Sequence, residues 1–363
     1  MTYKIAITTI ALNEEKFAQR FMDAHKNEVD AIYVLDTGST DKTVEILRDN
    51  GAIVKTGWTK PWRFDIPRNA AINLVPSDYT ICVSVDIDEV FKPGLREGLL
   101  KAWTPQTTRL RYQYAWSTNE DGSPATSFWY DKIFHREHYR WVLPVHEVLC
   151  YSSPHGQEVQ TWSNDIFLTH KPDPTKSRSS YLPLLELALK ENPNNDRTAH
   201  YLGREYMYYG MWDKAIEQLS RHLTMPTALW KSERCASMRF ISRSYAGQNR
   251  LKDAEEWALK ACAEVPTERE PWFELAKVYY HQNNWHGLYY ATKNALDIVE
   301  RPSSYICEPS AWNWEVYDFA SLGAWNLGLK KEAVELSAKA CEMNSSDMRL
   351  QNNHKLMSDA VEP

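Results

Sequence analysis

Three groups of polar residues stand directly after apolar runs in the first ninety residues of the chain. They read Asn13-Glu14-Glu15, Asp36-Thr37-Gly38-Ser39 and Asp86-Ile87-Asp88-Glu89. Two carboxylates two positions apart, as in Asp86 and Asp88, repel each other unless a cation neutralises them. Mg²⁺ and Mn²⁺ take carboxylate oxygens and leave positions open for phosphate oxygens. The pattern indicates a site for a divalent metal and a phosphate-bearing ligand, and a solvated acidic loop is the alternative.

The elements around these groups alternate between strand-like and helix-like stretches. The pattern predicts strands over 4–10, 31–35, 52–56 and 79–85, and helices over 14–25, 42–50 and 67–74. Ser39-Thr40-Asp41 supplies good capping residues before the second helix. Such alternation predicts a mostly parallel sheet with helices on both faces. Ligands of these sheets bind beyond the carboxyl ends of the strands, where the three polar groups fall.

Residues 105–170 are more strand-like and unusually aromatic, in a chain with 15 Trp and 20 Tyr. The rings in this stretch are Tyr112, Tyr114, Trp116, Phe128, Trp129, Tyr130, Phe134, Tyr139 and Trp141. They could stack on a donor sugar, an acceptor sugar or a base, or form a hydrophobic seam between two domains. Trp58, Trp62 and Phe64 beside Arg63 leave the same two interpretations open.

The character of the chain changes near residue 175. Residues 171–177, with two prolines and small polar residues, predict a linker. Beyond it the sequence is helical and repeats: Leu202-Gly203, Tyr206 and Ala215 align with Ile241-Ser242, Tyr245 and Ala254. A third copy contains Trp272, Leu275-Ala276, Tyr279, Leu288 and Ala295, and a weaker fourth contains Tyr317, Ala324, Ala333 and Ala340. The copies resemble the tetratricopeptide repeat, a helix–turn–helix unit of ~34 residues that stacks into a solenoid.

Two domains are therefore predicted, over residues 1–175 and 176–363. The repeats would either hold an acceptor or serve as a passive module for dimerisation or stiffening.

Composition limits the class of protein. The chain of 363 residues carries a net charge of −6, which argues against a surface for duplex nucleic acid. No stretch approaches the ~20 apolar residues of a membrane span, and the N-terminus lacks a signal-peptide pattern. Its six cysteines lie far apart without a Cys-x-x-Cys pair, which favours buried thiols over zinc sites or disulfides. We expect a cytoplasmic protein.

Four motifs occur in the same order as in a known enzyme family. They are residues 5–15 (IAITTIALNEE), 33–43 (YVLDTGSTDKT), 67–72 (PRNAAI) and 84–89 (SVDIDE). Together they resemble the family-2-type glycosyltransferases with the nucleotide-sugar-binding GT-A fold, particularly members with tetratricopeptide repeats behind the catalytic domain. The resemblance implies an α/β, Rossmann-like GT-A domain followed by an all-α repeat domain.

The resemblance also implies roles for single residues in donor binding. The nucleoside, with uridine as the first choice, would be held by Thr9, Ala11, Glu14 and Asp36. Arg68 would seat the base or the diphosphate, although a helix-terminal surface ion pair is its alternative. Asp86 would contact the ribose or reach the metal through water, and Asp88 would bind the metal, Mn²⁺ or Mg²⁺. Relatives commonly have a small residue where Ile87 separates the two acids.

An inverting transfer needs a base, and relatives with repeats carry a His-Glu signature that Val145-His146-Glu147 resembles. Glu147 is the leading base, with Asp131 and Glu137 as rivals. The family often completes the metal shell with a downstream histidine, which His170 would supply and for which His146 competes.

These observations favour a metal-dependent inverting glycosyltransferase, a hexosyl- or pentosyltransferase, that uses a nucleotide-diphosphate sugar, UDP-sugar first. The acceptor would be a hydroxyl of a protein or peptide, a surface glycan or a modified DNA base, and a second copy of the chain could pair through the repeats. One alternative is a non-catalytic repeat scaffold on a decayed sugar-nucleotide-binding fold. A nucleotidyltransferase is a weaker alternative, because residues 9–13 contain no glycine for a phosphate loop.

Overall fold

The computed structural model describes residues 3–57, 60–119, 121–154, 156–173 and 181–361. It divides into two compact units, residues 1–188 and 189–363. The division falls within helix α5, Tyr181–Glu191. The domain boundary predicted after residue 175 and the ring of Trp58 lie outside the described residues.

Over its described residues, the N-terminal unit contains ten strands. Their bounds are β1 Ile5–Ala11, β2 Ala31–Asp36, β3 Ile53–Thr56, β4 Ile81–Ser84, β5 Glu89–Phe91, β6 Arg109–Thr118, β7 Pro124–His135, β8 Tyr139–Val142, β9 Val148–Tyr151 and β10 Gln160–His170. Four helices connect the first strands: α1 Glu15–His25, α2 Thr43–Asp49, α3 Asp65–Asn73 and α4 Leu95–Ala102. The elements predicted before residue 90 are all present, with ends shifted by one or two residues.

Eight strands form one sheet in the order β3-β2-β1-β4-β7-β6-β10-β5, and β8 pairs with β9 separately. The strands β3, β2, β1 and β4 run parallel, as the alternating pattern predicts. The expectation of a mostly parallel sheet fails farther along, because β7 is antiparallel to both β4 and β6. Since β6 and β7 are consecutive strands joined by a short turn, they pair as a hairpin. The sheet is therefore mixed.

Both faces of the sheet are covered, because successive side chains of β1 point to opposite sides. Ile5 and Ile7 pack with Phe21 and Met22 of α1, whereas Ala6 packs with Ile72 of α3. This arrangement leaves the carboxyl ends of β1, β2 and β4, and the polar groups that follow them, at one edge of the sheet.

The second unit is entirely helical over its described residues and consists of helix pairs. They are α6 Asp196–Tyr208 with α7 Trp212–Thr224, α8 Lys231–Gly247 with α9 Leu251–Glu264, α10 Arg269–His281 with α11 Trp285–Asp297, and α12 Trp314–Asn326 with α13 Lys330–Met343. Helix α14, Met348–Asp359, follows the last pair.

Small residues let the helices of each pair approach closely, as the repeat pattern predicts. Ala215, Ala254 and Ala333 are fully buried, and a Cβ on Gly203 would stand 2.5 Å from Cγ of Leu219. The fourth pair is as regular as the others, although its sequence match is weaker. Within the residues described, none of the helices has the length and apolar character that crossing a membrane requires.

Candidate active site

The loops after β1 and β2 are held together by their own polar groups. Asp36, at the end of β2, accepts hydrogen bonds from the backbone N–H groups of Gly38 and Ser39 (3.2 and 3.1 Å). The carbonyl of Ala11 accepts from the Thr37 N–H at 2.8 Å, and the Asn13 N–H donates to Oγ of Ser39 at 2.9 Å. The structure thus brings the predicted nucleoside residues of both strands to one place.

The four residues predicted to hold the nucleoside differ in their burial and in their hydrogen bonds. Thr9 and Ala11 are buried, and the backbone N–H of Glu14 donates to Oγ1 of Thr43 at 2.6 Å. Asp36 is buried and its carboxylate already shapes the loop 37–39. Glu14 is half-buried.

Arg68, Asp86, Lys132 and Glu147 form one charged cluster. Nη1 of Arg68 lies 2.7 Å from Oδ1 of Asp86, and its Nε donates to Oε1 of Glu147 at 2.5 Å. Nζ of Lys132 lies 3.3 Å from Oδ2 of Asp86. Arg68 comes from the first turn of α3, Asp86 from the loop after β4 and Lys132 from β7, so three parts of the chain meet here.

The cluster favours the charged form of the Asp86 carboxyl. Burial would raise the pKa of its carboxyl, but Arg68 and Lys132 hold that pKa well below its usual range. The pKa of Lys132 is correspondingly raised: burial works against its charge, and Asp86 and Glu89 outweigh it. Both carboxylate oxygens of Asp86 therefore face cations of the protein itself. This geometry fits a contact to a ribose or to a metal-bound water better than direct metal ligation.

Asp88 and His170 form a second pair beside the cluster. Nε2 of His170 lies 3.4 Å from Oδ2 of Asp88, and Nδ1 of the ring lies 3.2 Å from the carbonyl oxygen of Trp116. Because a carbonyl only accepts, Nδ1 carries the proton and Nε2 is directed at Asp88. The indole of Trp116 stacks on the imidazole at 4.5 Å and fixes its plane. Burial lowers the pKa of His170, but the Asp88 carboxylate reverses this and raises it.

The Asp88–His170 pair is the part of the site that fits a divalent metal. Over residues 3–57, 60–119, 121–154, 156–173 and 181–361, no group of three or more His, Cys, Asp and Glu is arranged to hold one. A carboxylate and an imidazole with its far nitrogen fixed by a carbonyl are nevertheless suitable ligands. Mg²⁺ and Mn²⁺ sites in phosphate-binding proteins often have one or two protein ligands, and phosphate oxygens and waters supply the rest.

Two residues that support the site are missed by reasoning from the sequence. Glu89 is buried, and its carboxylate accepts from the backbone N–H of Asp86 (2.9 Å) and from the hydroxyl of Tyr114 (2.7 Å). It therefore fixes the turn that carries Asp86 and Asp88. Lys132 is a buried lysine that directly precedes the core residues Ile133 and Phe134 in β7. A lysine in such an apolar strand is the signal that could have revealed it.

The rival bases lie in other ion pairs. Asp131 stands 2.8 Å from Nη1 of Arg109, on the face of β7 opposite Lys132. Glu137 is exposed and pairs with Arg136 at 3.5 Å. Among the three candidates, Glu147 is the one that the structure brings to Arg68 and Asp86. His146 precedes it with a φ of 48° and packs its ring against Tyr181 at 5.7 Å.

Most of the aromatic residues pack against each other inside the N-terminal unit. Tyr114 stacks on Tyr130 at 4.4 Å and meets Phe128 edge-on, and Tyr112, Tyr139 and Trp141 are buried. Trp116 and Trp162 are exceptions, with half of each side chain exposed. Trp116, stacked on His170, is the exposed ring beside the candidate metal ligands.

Comparison with known proteins supports both parts of this description. Residues 6–150 match the profile of glycosyl transferase family 2. The match includes every predicted site residue from Thr9 to Glu147 and ends before His170. A TPR repeat-containing protein of Synechococcus elongatus is 30% identical over 108 residues, which are 30% of this chain and 24% of that protein. The aligned part of this chain thus spans about a quarter of the relative's length.

Two solved structures also resemble part of the chain. A crystal structure of MamA is 20% identical with a TM-score of 0.38, and covers 46% of this chain and 88% of its own. A thermophilic TPR protein of Thermus thermophilus is 20% identical with a TM-score of 0.36, and covers 50% of this chain and 90% of its own. The repeats of this chain are shown by its own helix pairs, α6–α7 to α12–α13. The N-terminal unit of this chain thus contains a glycosyltransferase domain of family 2 with the mixed GT-A sheet, and tetratricopeptide-like helical repeats follow it.

Proposed function

We propose that the N-terminal unit transfers a monosaccharide from a nucleoside-diphosphate sugar to an acceptor hydroxyl by a metal-dependent, inverting displacement. The observation that carries the proposal is the placement of the Asp88–His170 pair beside the Arg68–Asp86–Lys132–Glu147 cluster, beyond the carboxyl end of β4. Ligands of open α/β sheets bind at this edge.

The donor would lie across the ends of β1, β2 and β4. The loops that contain Thr9, Ala11, Glu14 and Asp36 would hold the nucleoside, uridine first, and Asp86 would face the ribose. Arg68 and Lys132 keep Asp86 ionised and place two positive charges close to where the diphosphate would lie. Fixed cations of this kind stabilise developing negative charge without reorganising during the reaction.

Asp88 and His170 would hold a divalent ion, Mn²⁺ or Mg²⁺. When bound, such an ion stabilises the negative charge on the leaving diphosphate. The protein's own contribution is orientation, since the Trp116 carbonyl fixes the His170 tautomer and Glu89 fixes the turn of Asp88.

Glu147 is the proposed base, and His146 is the second candidate beside it. The acceptor oxygen would form a bond to the anomeric carbon while the bond from that carbon to the diphosphate oxygen breaks. The acceptor proton would pass to the Glu147 carboxylate, which Arg68 holds in place through one oxygen. The acceptor class is a protein or peptide, a surface glycan or a modified nucleobase, and the sugar transferred is a hexose or a pentose.

Calorimetry with UDP, GDP and CDP, each with and without Mn²⁺, tests the donor site. We expect one of these nucleotides to bind, and only when the metal is present; UDP is the first choice. Glu147→Gln should retain this binding but lose sugar transfer, and it should also lose any slow hydrolysis of the sugar nucleotide. Glu137→Gln is the matched control and should keep these activities. If no nucleotide binds under any condition, the site is not a donor site and a repeat scaffold becomes the better account.

A further inference from the structure

The indole ring of Trp141, in β8, packs against both cations of the charged cluster. Trp141 is 3% exposed. Cζ of Arg68 lies 5.2 Å from the centroid of its ring, and Nζ of Lys132 lies 5.9 Å from the same centroid. Both distances are within the range of about 6 Å over which an aromatic ring attracts a positive charge.

The two cations repel each other at this place. Arg68 and Lys132 are both buried, and they approach the same carboxylate, Asp86, at 2.7 and 3.3 Å. Water screens buried charges much less than exposed ones. The negative face of an indole offsets part of this repulsion, and it does so most strongly for cations that have lost their water. An aliphatic side chain would fill the same space without this effect.

The backbone of Trp141 is attached to α3, the helix that contains Arg68. The Trp141 N–H donates to Oδ1 of Asn69 at 2.9 Å, and Nδ2 of Asn69 donates to the Trp141 carbonyl at 2.8 Å. The amide of Asn69 thus binds both backbone groups of one residue, as a paired antiparallel strand does. Because Asn69 directly follows Arg68, these bonds fix the indole beside the guanidinium.

The polar atom of the indole does not account for a tryptophan at this position. Over the part of the chain that the structure describes, Nε1 of Trp141 is buried and has no hydrogen-bond acceptor. A buried donor without an acceptor costs free energy, which a phenylalanine would avoid. The favourable contribution of Trp141 therefore comes from its ring.

We propose that Trp141 is a positioning residue of the candidate active site, whose ring holds Arg68 and Lys132 in place. Arg68 spans two carboxylates, with Nη1 at Asp86 and Nε at Glu147. A displaced guanidinium would therefore disturb the donor side and the proposed base together. The inference rests on the proposed function for its ligand, but the position of Arg68 can be measured without a ligand.

The first experiment uses the ligand-free, full-length protein and follows the Nε–H resonance of Arg68 by NMR. The resonance is identified by its absence in Arg68→Lys. Because Nε donates to Glu147, its proton should exchange slowly with solvent in the wild type. Trp141→Leu should accelerate this exchange about tenfold, whereas Trp141→Phe, which keeps an aromatic ring, should stay close to the wild type.

The matched control is Trp103→Leu. Trp103 is 5% exposed and packs in a different hydrophobic cluster of the same unit. Its replacement should lower stability to urea without changing the exchange of the Arg68 Nε–H. Trp141→Met also removes the ring and takes the place of Trp141→Leu if that variant does not fold.

The second experiment titrates UDP into the same variants in the presence of Mn²⁺. Trp141→Leu should lose about tenfold in affinity, Trp141→Phe should recover most of it, and Trp103→Leu should bind as the wild type does. If the wild type binds no nucleotide, the proposed function fails, and the exchange of the Arg68 Nε–H alone decides the role of Trp141.

Two results would overturn the proposal. One is wild-type exchange of the Arg68 Nε–H in a folded protein without the Trp141 ring. The other is a Trp141→Phe variant as impaired as Trp141→Leu, which would mean that the indole N–H or the size of the side chain matters rather than the aromatic face.

Discussion

The two units of this protein treat buried charge in opposite ways. In the N-terminal unit, Asp86 meets Arg68 and Lys132 at the end of a strand, and about a third of its side chain stays exposed to solvent. In the repeat unit, Arg239 is fully buried and its charge is met by Glu308 of the same unit. The first arrangement leaves part of a carboxylate exposed to solvent, and the second encloses its arginine completely. The proposed function uses the first cluster for binding, and the second contributes to the stability of the repeat unit.

The largest stability effect should therefore come from the repeat unit. Arg239→Met removes a fully buried guanidinium and leaves the half-buried Glu308 carboxylate with one arginine. Removing one partner of a buried pair costs about 3 kcal/mol or more. Arg68→Met also takes away the ion pair of Glu147, but it should cost less, about 1–2 kcal/mol, because Asp86 keeps Lys132 and reaches solvent. Urea unfolding of both variants measures the difference.

Arg250→Met is the control for this comparison, because its pair with Asp253 is exposed and screened by solvent, so the urea midpoint should change little. Equal losses in Arg239→Met and Arg68→Met would show that the two clusters do not differ as described. Nucleotide binding should be lost in Arg68→Met and unchanged in Arg239→Met.

Acid should weaken the N-terminal unit through His25. This histidine of α1 is buried, and Nε2 of its neutral ring accepts from the Phe91 N–H at 3.2 Å. Burial lowers its pKa to about 4, although Glu28 acts in the opposite direction. The unfolded chain therefore binds a proton more readily, and the stability that is fully present above pH 6.5 falls as the pH drops from 6.5 to 4. The loss is ~3 kcal/mol for this residue.

The measurement is the urea midpoint of the N-terminal unit between pH 7.5 and 4. His25→Gln keeps an acceptor for the Phe91 N–H but cannot be protonated, so its midpoint should fall less over this range. The same pH dependence in both proteins would show that His25 is not the source.

Substitution of Glu89 tests whether ligand binding depends on the hydrogen bonds that fix the turn of Asp86 and Asp88. Glu89→Ala leaves the Asp86 N–H and the Tyr114 hydroxyl without this partner, at a cost of about 1–3 kcal/mol. Metal-dependent nucleotide affinity should fall on the order of tenfold. Glu89→Gln should recover most of it, since the amide oxygen accepts from the Asp86 N–H. If Glu89→Ala changes stability but not affinity, the residue is structural only.

The smallest effect is expected at Trp116. Trp116→Ala removes the ring that stacks on His170 but keeps the backbone carbonyl that fixes Nδ1. A loss of a few-fold in metal-dependent nucleotide affinity should result, and Trp116→Phe should restore it. An exposed ring elsewhere, Trp162, is the matched control. A large loss in Trp116→Ala would mean that this ring contacts the ligand itself.

The sequence was most informative where local pattern decides the structure. Alternating strands and helices located β1, β2 and β4, and with them the edge where Asp36 and Asp86 lie. Periodic small residues located the helix pairs, as at Gly203 and Ala215. Both signals repeat over many residues, so tertiary packing does not override them.

The remaining features depend on pairing between distant parts of the chain. β7 inserts next to β4 in antiparallel orientation and brings Lys132 to Asp86, which no local period predicts. The hydrogen bonds of Glu89 to Asp86 and Tyr114, and that of His170 to the Trp116 carbonyl, likewise arise from sheet order. The ion pair of Arg239 with Glu308 is also visible only in three dimensions.

The central claim is that Asp88 and His170 hold a divalent metal on the donor nucleotide. It is tested most directly by titrating UDP into protein saturated with Mn²⁺, for the wild type, Asp88→Asn and the exposed control Asp121→Asn. The account predicts that Asp88→Asn loses affinity on the order of 100-fold and remains folded, while Asp121→Asn binds as wild type does. Undiminished metal-dependent binding in a folded Asp88→Asn would contradict it.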